Sequence, residues 1–388
     1  MKAMVYRIYA FVFRIFTHLF PVRYDKVFLF MVHDCGFRGN IRYVAEETGR
    51  SYPGKKCVVY NKAEMLKPGG SVWLIRFLRR FGGYLRFLFG VNYQLATSGT
   101  IFLNDNFLPM AYMDFRKDVR VVQLWHGAGA FKRFGLSTET DPLVRRLVRQ
   151  GNARLYLEPV SSETCVPIYS EAMGIPAERI LPIGLPFLDF YFDEAGKNKA
   201  LREFYKAYPS LRGKRLAFYC PTLRANAALN DRLTGALDRE RLLRELGEDW
   251  VLLIRFHPKG IPTDPGITSD RVMDVTSYRD IRGIFVAADL MITDYSSAAV
   301  EYALLDKPLY VYGYDFRETG EAAYDRGTYL DMDRLPSGVS VTMEELISAV
   351  SDPGLGRKNA EWYVSESFQP LPDGRATERL LKLVYERD

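Results

Sequence analysis

Short apolar runs alternate with helical patterns along nearly the whole chain, and this alternation limits the fold more than any other feature. The first half predicts strands at 26–33, 57–60, 101–103, 120–125, 154–158 and 180–183, with helices between them at 41–47 and 162–173. The second half repeats the rhythm. Strands are predicted at 215–220, 251–256, 272–275, 290–293 and 309–311, and helices at 239–246, 280–287, 298–305 and 343–350. Strand–helix alternation on this scale builds parallel sheets from βαβ units. A charged, helical stretch at 193–214 reads as the link between two doubly wound domains. At 388 residues the chain is too long for one small core and suits about two to three domains. The predicted division is an amphipathic segment at 1–25, an N-terminal domain at 26–192 and a C-terminal domain at 193–388.

Composition removes several classes of function. A net charge of +6 is too small for a dedicated DNA binder, and no nucleic-acid partner is expected. Four cysteines without a C-x-x-C pair argue against a disulfide framework or a zinc ribbon and suit a reducing compartment. Four histidines, none in an H-E-x-x-H pattern, leave little material for a metal site, so no metal and no cofactor are expected.

Two stretches suit a membrane surface. Residues 4–20 are apolar and aromatic, with Arg7 and Arg14 on one helical face; charges break the run before about 20 apolar residues accumulate, so no spanning helix or signal peptide is expected. Residues 71–90 carry Arg76, Arg79, Arg80 and Arg86 among aromatic side chains with no acidic residue. Basic aromatic helices of this kind can lie on anionic lipid, arginines at the headgroups and rings below. A core helix with a solvated basic face is the plainer alternative.

In doubly wound folds ligands sit beyond the carboxyl ends of the strands, and four strand ends carry suitable chemistry. After 120–125 come His126, Gly127, Gly129 and Lys132; glycines let backbone N–H groups approach a phosphate, and the lysine adds charge. The spacing is neither a dinucleotide fingerprint nor a P-loop. After 215–220 come Pro221, Thr222 and Arg224, suited to a phosphate or nucleoside hydroxyl, or a simple turn with a solvent-facing arginine. The third end presents Arg255, Phe256 and His257, the charged pair sharing one face. At the fourth, Ser296 and Ser297 open a helix containing Glu301; they serve as a cap, a phosphate cradle or both. Together these residues describe a cleft between two domains that holds a nucleotide diphosphate.

At these positions the chain resembles the CDP-glycerol glycerophosphotransferase family of teichoic-acid synthesis. The likeness rests on W-H-G at 125–127 with Lys132, P-T-x-R at 221–224, R-x-H at 255–257 and T-D-Y-S-S at 293–297, continued by Glu301-Tyr302, K-P at 307–308, Tyr312, Tyr314-Asp315 and R-G-x-Y at 326–329. It implies a GT-B arrangement, an α/β fold of two Rossmann-like doubly wound domains facing a cleft, peripheral to the cytoplasmic face of the membrane. It makes His126 and His257 the essential histidines. Gly127, Lys132, Pro221, Thr222, Arg224, Arg255, Phe256, Ser296, Ser297 and Glu301 become contacts to the nucleotide and pyrophosphate. The family's usual T-P-L-K-K after W-H-G is replaced here by residues 128–132, and its G-Y-P-R-N-D by the arginine-free 184–189. The stretch from His33 to Asn40 matches loosely and is expected to face the acceptor.

The implied reaction transfers a polyol phosphate, most simply glycerol phosphate, from a CDP-polyol to a hydroxyl of a lipid-linked saccharide, releasing CMP. A positioned histidine suits such a weak nucleophile, and His126 is the assigned base, with the two histidines exchangeable in role. The length favours a priming or single-addition enzyme. Two other readings stand beside this one: a GT-B glycosyltransferase or epimerase using a UDP-sugar, and a non-catalytic peripheral membrane module.

Overall fold

The computed structural model describes residues 2–33, 39–67, 80–224, 226–257, 260–263, 269–318 and 327–386. The chain divides into two compact units, one of Met1–Gly127, Phe134–Asp189 and Pro372–Asp388, the other of Ala128–Arg133 and Phe190–Leu371. Two excursions escaped the sequence reading. The C-terminal helix Ala376–Tyr385 returns to the first unit, and Ala128–Arg133 belongs to the second.

In the first unit β1 (Arg23–Met31), β2 (Lys56–Asn61), β3 (Ser98–Leu103) and β4 (Arg120–Gln123) form a parallel sheet in the order β2-β1-β3-β4. A short pair, β5 (Glu158–Pro159) and β6 (Ile180–Leu181), continues beyond β4 through the parallel bridge between Val122 and Leu157. All the residues of β3 are buried, as expected of a strand covered on both faces. Val27, Leu29, Phe102 and Val122 meet Ile41 and Val44 of the helix Gly39–Ser51 and Leu380, Leu381 and Val384 of the returning helix. Asp189 anchors that return. Its carboxylate accepts from the backbone N–H groups of Ala376 and Thr377, both at 2.9 Å, and from the Thr377 hydroxyl at 2.6 Å. A carboxylate thus satisfies the free N–H groups of a helix start 187 residues away.

The N-terminal helix Lys2–Leu19 is part of this unit. It buries Tyr9, Ala10 and Phe13, the ring of Phe13 packs on Phe115, and Asn92 donates to the Tyr9 carbonyl at 3.1 Å. Its other side exposes Met4, Val5, Ile8, Phe11 and Leu19, with Phe11 62 % open to solvent. The second stretch expected on a membrane is helical from 80 onward and becomes a π-helix over Arg86–Val91, with Phe81, Tyr84 and Phe89 exposed. Arg80 and Arg86 are exposed; Arg76 and Arg79 lie outside the described residues. No helix among the described residues is long and apolar enough to cross a membrane.

In the second unit β7 (Arg215–Cys220), β8 (Trp250–Ile254), β9 (Val272–Asp274), β10 (Leu290–Thr293) and β11 (Leu309–Val311) are parallel in the order β11-β10-β7-β8-β9. Both sheets reverse direction of growth at one point, between β1 and β3 in the first and between β7 and β10 in the second. Those are the positions where a doubly wound sheet opens a crevice at its carboxyl edge. The segment expected as a linker is the helix Glu194–Ala207, with Phe204 fully buried against Tyr278.

Candidate active site

The carboxyl ends of β1, β3 and β4 bring His33, Asn104 and His126 together. Asn104 organises the group: its Oδ1 accepts from the backbone N–H groups of Val32 at 2.8 Å and His33 at 3.1 Å, and its Nδ2 donates to the His33 carbonyl at 3.1 Å. The imidazoles of His33 and His126 stack at 4.5 Å between centroids, and the Trp125 ring stacks on His126 at 4.2 Å. His126 Nδ1 lies 3.1 Å from the Asn104 carbonyl oxygen. A carbonyl only accepts, so Nδ1 carries the hydrogen, and in the neutral ring Nε2 holds the free lone pair. The protein atoms packed around the ring lower its pKa below the ordinary imidazole value. Asp105 and the Asn104 carbonyl act in the opposite sense, and His33 adds to the lowering.

Trp125 has a φ of +53°, a left-handed backbone that bulky side chains rarely adopt. Its N–H donates to Gln123 Oε1 at 3.1 Å, and its carbonyl accepts from Asn40 Nδ2 at 3.3 Å. Asn40 also donates to the Leu124 carbonyl at 2.8 Å. The sharp turn that presents His126 is therefore held from both sides. Residues 34–38, expected to face the acceptor, lie outside the described residues.

In the second unit Lys132, Thr222, Asp294, Arg224 and Asp315 form one cluster at the carboxyl ends of β7 and β10. Lys132 Nζ donates to Thr222 Oγ1 at 3.4 Å. The Thr222 hydroxyl donates to Asp294 at 2.6 Å, and its N–H reaches the same carboxylate at 2.9 Å. Arg224 spans both acids, with Nη1 to Asp294 at 2.8 Å and a two-pronged pair to Asp315 at 2.7 and 3.0 Å. Its Nη1 also donates to the Thr222 carbonyl.

Two expected nucleotide contacts are corrected by this geometry. Arg224 is buried, and four of its five N–H donors are taken by two carboxylates and a carbonyl, so it shapes the turn after Pro221 instead of gripping a phosphate. It is equally unlike the solvent-facing arginine of the plainer alternative. Phe256 is 1 % exposed and sits in the apolar core with Ile254, Leu242 and Tyr312. Its neighbours Arg255 and His257 stay accessible, Arg255 half-buried and His257 exposed, as strand alternation predicts. At Gly129 φ is +63°, and a Cβ there would meet Ser367 and Val300 at 3.2–3.3 Å, so backbone conformation and close packing both favour glycine at this turn.

Ser297 caps no backbone group with its side chain, whereas Ser296 Oγ accepts from the Ala298 N–H at 3.3 Å. The exposed Ser297 hydroxyl is thus open to a ligand. Glu301 accepts from the Tyr191 hydroxyl at 2.9 Å. Burial pushes its carboxyl up to about 7 and Asp280 adds to this, while the Tyr191 hydrogen bond and Arg282 pull it down. Among the described residues no cluster of three or more His, Cys, Asp or Glu side chains could hold a metal ion. Sequence reasoning missed Asn104, Asn40, Asp294 and Asp315 as organisers. A polar residue one position beyond a strand was the available signal for Asn104 and Asp294; Asp315 and Asn40 were marked only as parts of the family resemblance, with no sign of what they bond.

The sequence profile of the CDP-Glycerol:Poly(glycerophosphate) glycerophosphotransferase family matches residues 11–386. The chain belongs to this family. It is 34 % identical over 308 residues to a teichoic acid poly(ribitol-phosphate) polymerase of Bacillus spizizenii, a match covering 78 % of this chain and 49 % of that protein. The chain thus spans about half the length of that relative. It is 27 % identical to a teichoic acid ribitol-phosphate primase of the same organism, across 96 % of this chain and 94 % of the primase. A teichoic acid glycerol-phosphate primase of Bacillus subtilis is 28 % identical over 75 % of this chain and 74 % of its own. The wall teichoic acid polymerase TagF shares the fold, with a TM-score of 0.75 at 21 % identity over 99 % of this chain and 95 % of that one. The expected α/β fold class of this glycerophosphotransferase-family chain is therefore the one found.

Proposed function

We propose that this protein transfers a polyol phosphate from a CDP-polyol to an acceptor hydroxyl in teichoic-acid or related cell-surface polymer synthesis. The observation that carries the reading is the state of His126, a neutral ring with Nδ1 committed to a carbonyl and Nε2 left as a base, at a strand end of a chain in this family. The acceptor oxygen attacks the phosphorus that bears the polyol. A new P–O bond forms as the anhydride P–O bond to CMP breaks, and His126 Nε2 takes the hydroxyl proton. His257 and Arg255, aided by Lys132 and the Ser296 and Ser297 hydroxyls, carry the negative charge of the diphosphate. Pro221 and Thr222 form the turn beside the nucleotide, backbone Gly127 follows the base, and Glu301 receives ribose hydroxyls. The relatives named for ribitol phosphate and glycerol phosphate support a three- or five-carbon polyol.

The acceptor is a lipid-linked saccharide, and the protein works at the cytoplasmic face of the membrane. This part of the reading is supported by the helix Lys2–Leu19, which holds Lys2, Arg7 and Arg14, no acidic residue, and an exposed row of Met4, Ile8, Phe11 and Leu19. Arg80 and Arg86 add positive charge in the stretch whose Phe87 carbonyl accepts from the Tyr9 hydroxyl of this helix.

The deciding experiment measures CMP release from a panel of CDP-polyols with a lipid-linked saccharide acceptor. Release with at least one CDP-polyol, and thermal stabilisation by CDP over UDP, is expected. Stabilisation by UDP alone and no CMP release would replace this reading by a UDP-sugar enzyme on the same fold.

A further inference from the structure

Asn104 fixes two imidazoles at once. It stands one position beyond β3, and its side chain holds the backbone of His33 beyond β1: Oδ1 accepts from the His33 N–H at 3.1 Å, and Nδ2 donates to the His33 carbonyl at 3.1 Å. Its own carbonyl takes the Nδ1 hydrogen of His126 at 3.1 Å. The strands that carry these positions are neighbours in one parallel sheet, with Phe30 opposite Leu103 and Leu103 opposite Gln123. The rings lie 4.5 Å apart between centroids and within 12° of parallel, so the stack is built by the sheet and by Asn104 together. The His33 side chain is exposed and contributes nothing to the apolar core, so core packing gives no reason for a ring at this position.

We infer that His33 is a positioning residue for His126: its ring face holds the imidazole of the base in one orientation, and its own proton, when it carries one, keeps the base unprotonated. A single hydrogen bond at Nδ1 leaves an imidazole free to swing about that bond. A contact over the ring face removes the freedom, and with Nδ1 pinned it sets where Nε2 points. Trp125 also stacks on His126, but it belongs to the same turn and moves with it. His33 comes from another strand and ties the ring to the sheet. Two imidazolium rings at this distance repel, so the pair takes its protons in two separate steps. Burial is the first cause of the lowered His126 pKa; Asp105 and the Asn104 carbonyl oppose it, and His33 lowers it further.

The inference rests on the assignment of His126 as the base. The test compares His33→Phe, which keeps a ring and removes the charge, with His33→Ala, which removes both, in the full chain. Steady-state CMP release and carbon-13 histidine NMR are the readouts, and the His126 signal is identified by its loss in His126→Asn. His33→Ala should lower kcat about fivefold or more with KM for the CDP-polyol little changed, and His33→Phe should recover it to within about twofold of wild type. In both variants the His126 titration midpoint should rise by about half a pH unit or more, since the neighbouring charge is gone. The His33 side chain is exposed and its bonds to Asn104 are made by its backbone, so both variants should fold. Should His33→Ala fail to fold, His33→Phe still decides through the midpoint. An unmoved midpoint overturns the inference. So does full turnover in His33→Ala, or a His33→Phe variant as poor as the alanine one, which would give the His33 nitrogens a chemical role of their own. A wild-type chain inactive with every CDP-polyol defeats the functional proposal but leaves the NMR titration to decide whether the two rings are coupled.

Discussion

One hydrogen bond joins Asn104 and His126, from ring Nδ1 to the backbone carbonyl at 3.1 Å, and it decides which nitrogen of the imidazole can act. The same ring is held below the ordinary imidazole pKa of 6.5, chiefly by the protein packed around it. A base works in its deprotonated form. Lowering its pKa therefore keeps it competent to lower pH. The acid limb of kcat/KM should have its midpoint below 6.5, measurable by CMP release across pH 4.5–8. A midpoint above that value would contradict the assignment.

Replacing His126 or His257 by Ala should lower kcat by about 10²–10⁴-fold. His257 is exposed, so its replacement should leave the melting temperature within about a degree or two of wild type, whereas loss of the His126 ring, stacked on Trp125 and His33, should lower it somewhat more. Near-normal turnover in both variants would remove the mechanism.

Arg224 sits between Asp294 and Asp315 with all three side chains buried. Arg224→Met leaves two carboxylates facing one another without a cation. Urea unfolding should show a loss of about 3–5 kcal/mol, the range found when one partner of a buried pair is removed. Since Thr222 hangs on Asp294, CDP binding should weaken together with stability.

Glu301 titrates at about 7 in the folded protein against 4.5 unfolded. Its folded form binds the proton more tightly, so stability is lost as pH rises through this window. Glu301→Gln can still accept from Tyr191 and does not ionise. Its melting temperature should gain on wild type between pH 5 and pH 8; a difference independent of pH would show that Glu301 is not held protonated.

Phe11 stands out from the helix Lys2–Leu19 with most of its surface in water. Burial of such a ring in lipid is worth about 1.5–3 kcal/mol, so Phe11→Asp should weaken binding to anionic vesicles about tenfold or more. Vesicle flotation reads this directly, and undiminished flotation would sink the role of this helix.

Much of the layout was legible because it follows from local chemistry. The runs 215–220, 290–293 and 309–311 and the helices Arg239–Leu246 and Met343–Val350 were bounded by their own turn residues and caps, and they appear where expected. Others differ. The run 154–158 pairs only in its second half, through the Tyr156 N–H, the Leu157 bridge to Val122 and the start of β5 at Glu158. The helices Pro142–Asn152, Pro353–Ser367 and Ala376–Tyr385 were not expected, although Asp141-Pro142 and Asp352-Pro353 are the cap signals that open the first two. His126, His257, Arg255 and the Ser296–Ser297 pair lie just past strands, a placement that is visible in one dimension. Arg224 and Phe256 were misread because a motif names residues without saying which way they point.

The order of strands and helices, the absence of a spanning segment in the described helices and the placement of the candidate side chains just past strands were set by the chain itself, through periodicity, capping and turn chemistry. Tertiary structure alone decided the rest. It spent the Arg224 guanidinium on Asp315, 91 residues away, returned the last helix to Asp189, and gave His126 its tautomer through a carbonyl 22 residues upstream. The reason is physical. A hydrogen bond or ion pair depends on distance and direction in space, and those exist only after strands far apart in sequence lie side by side.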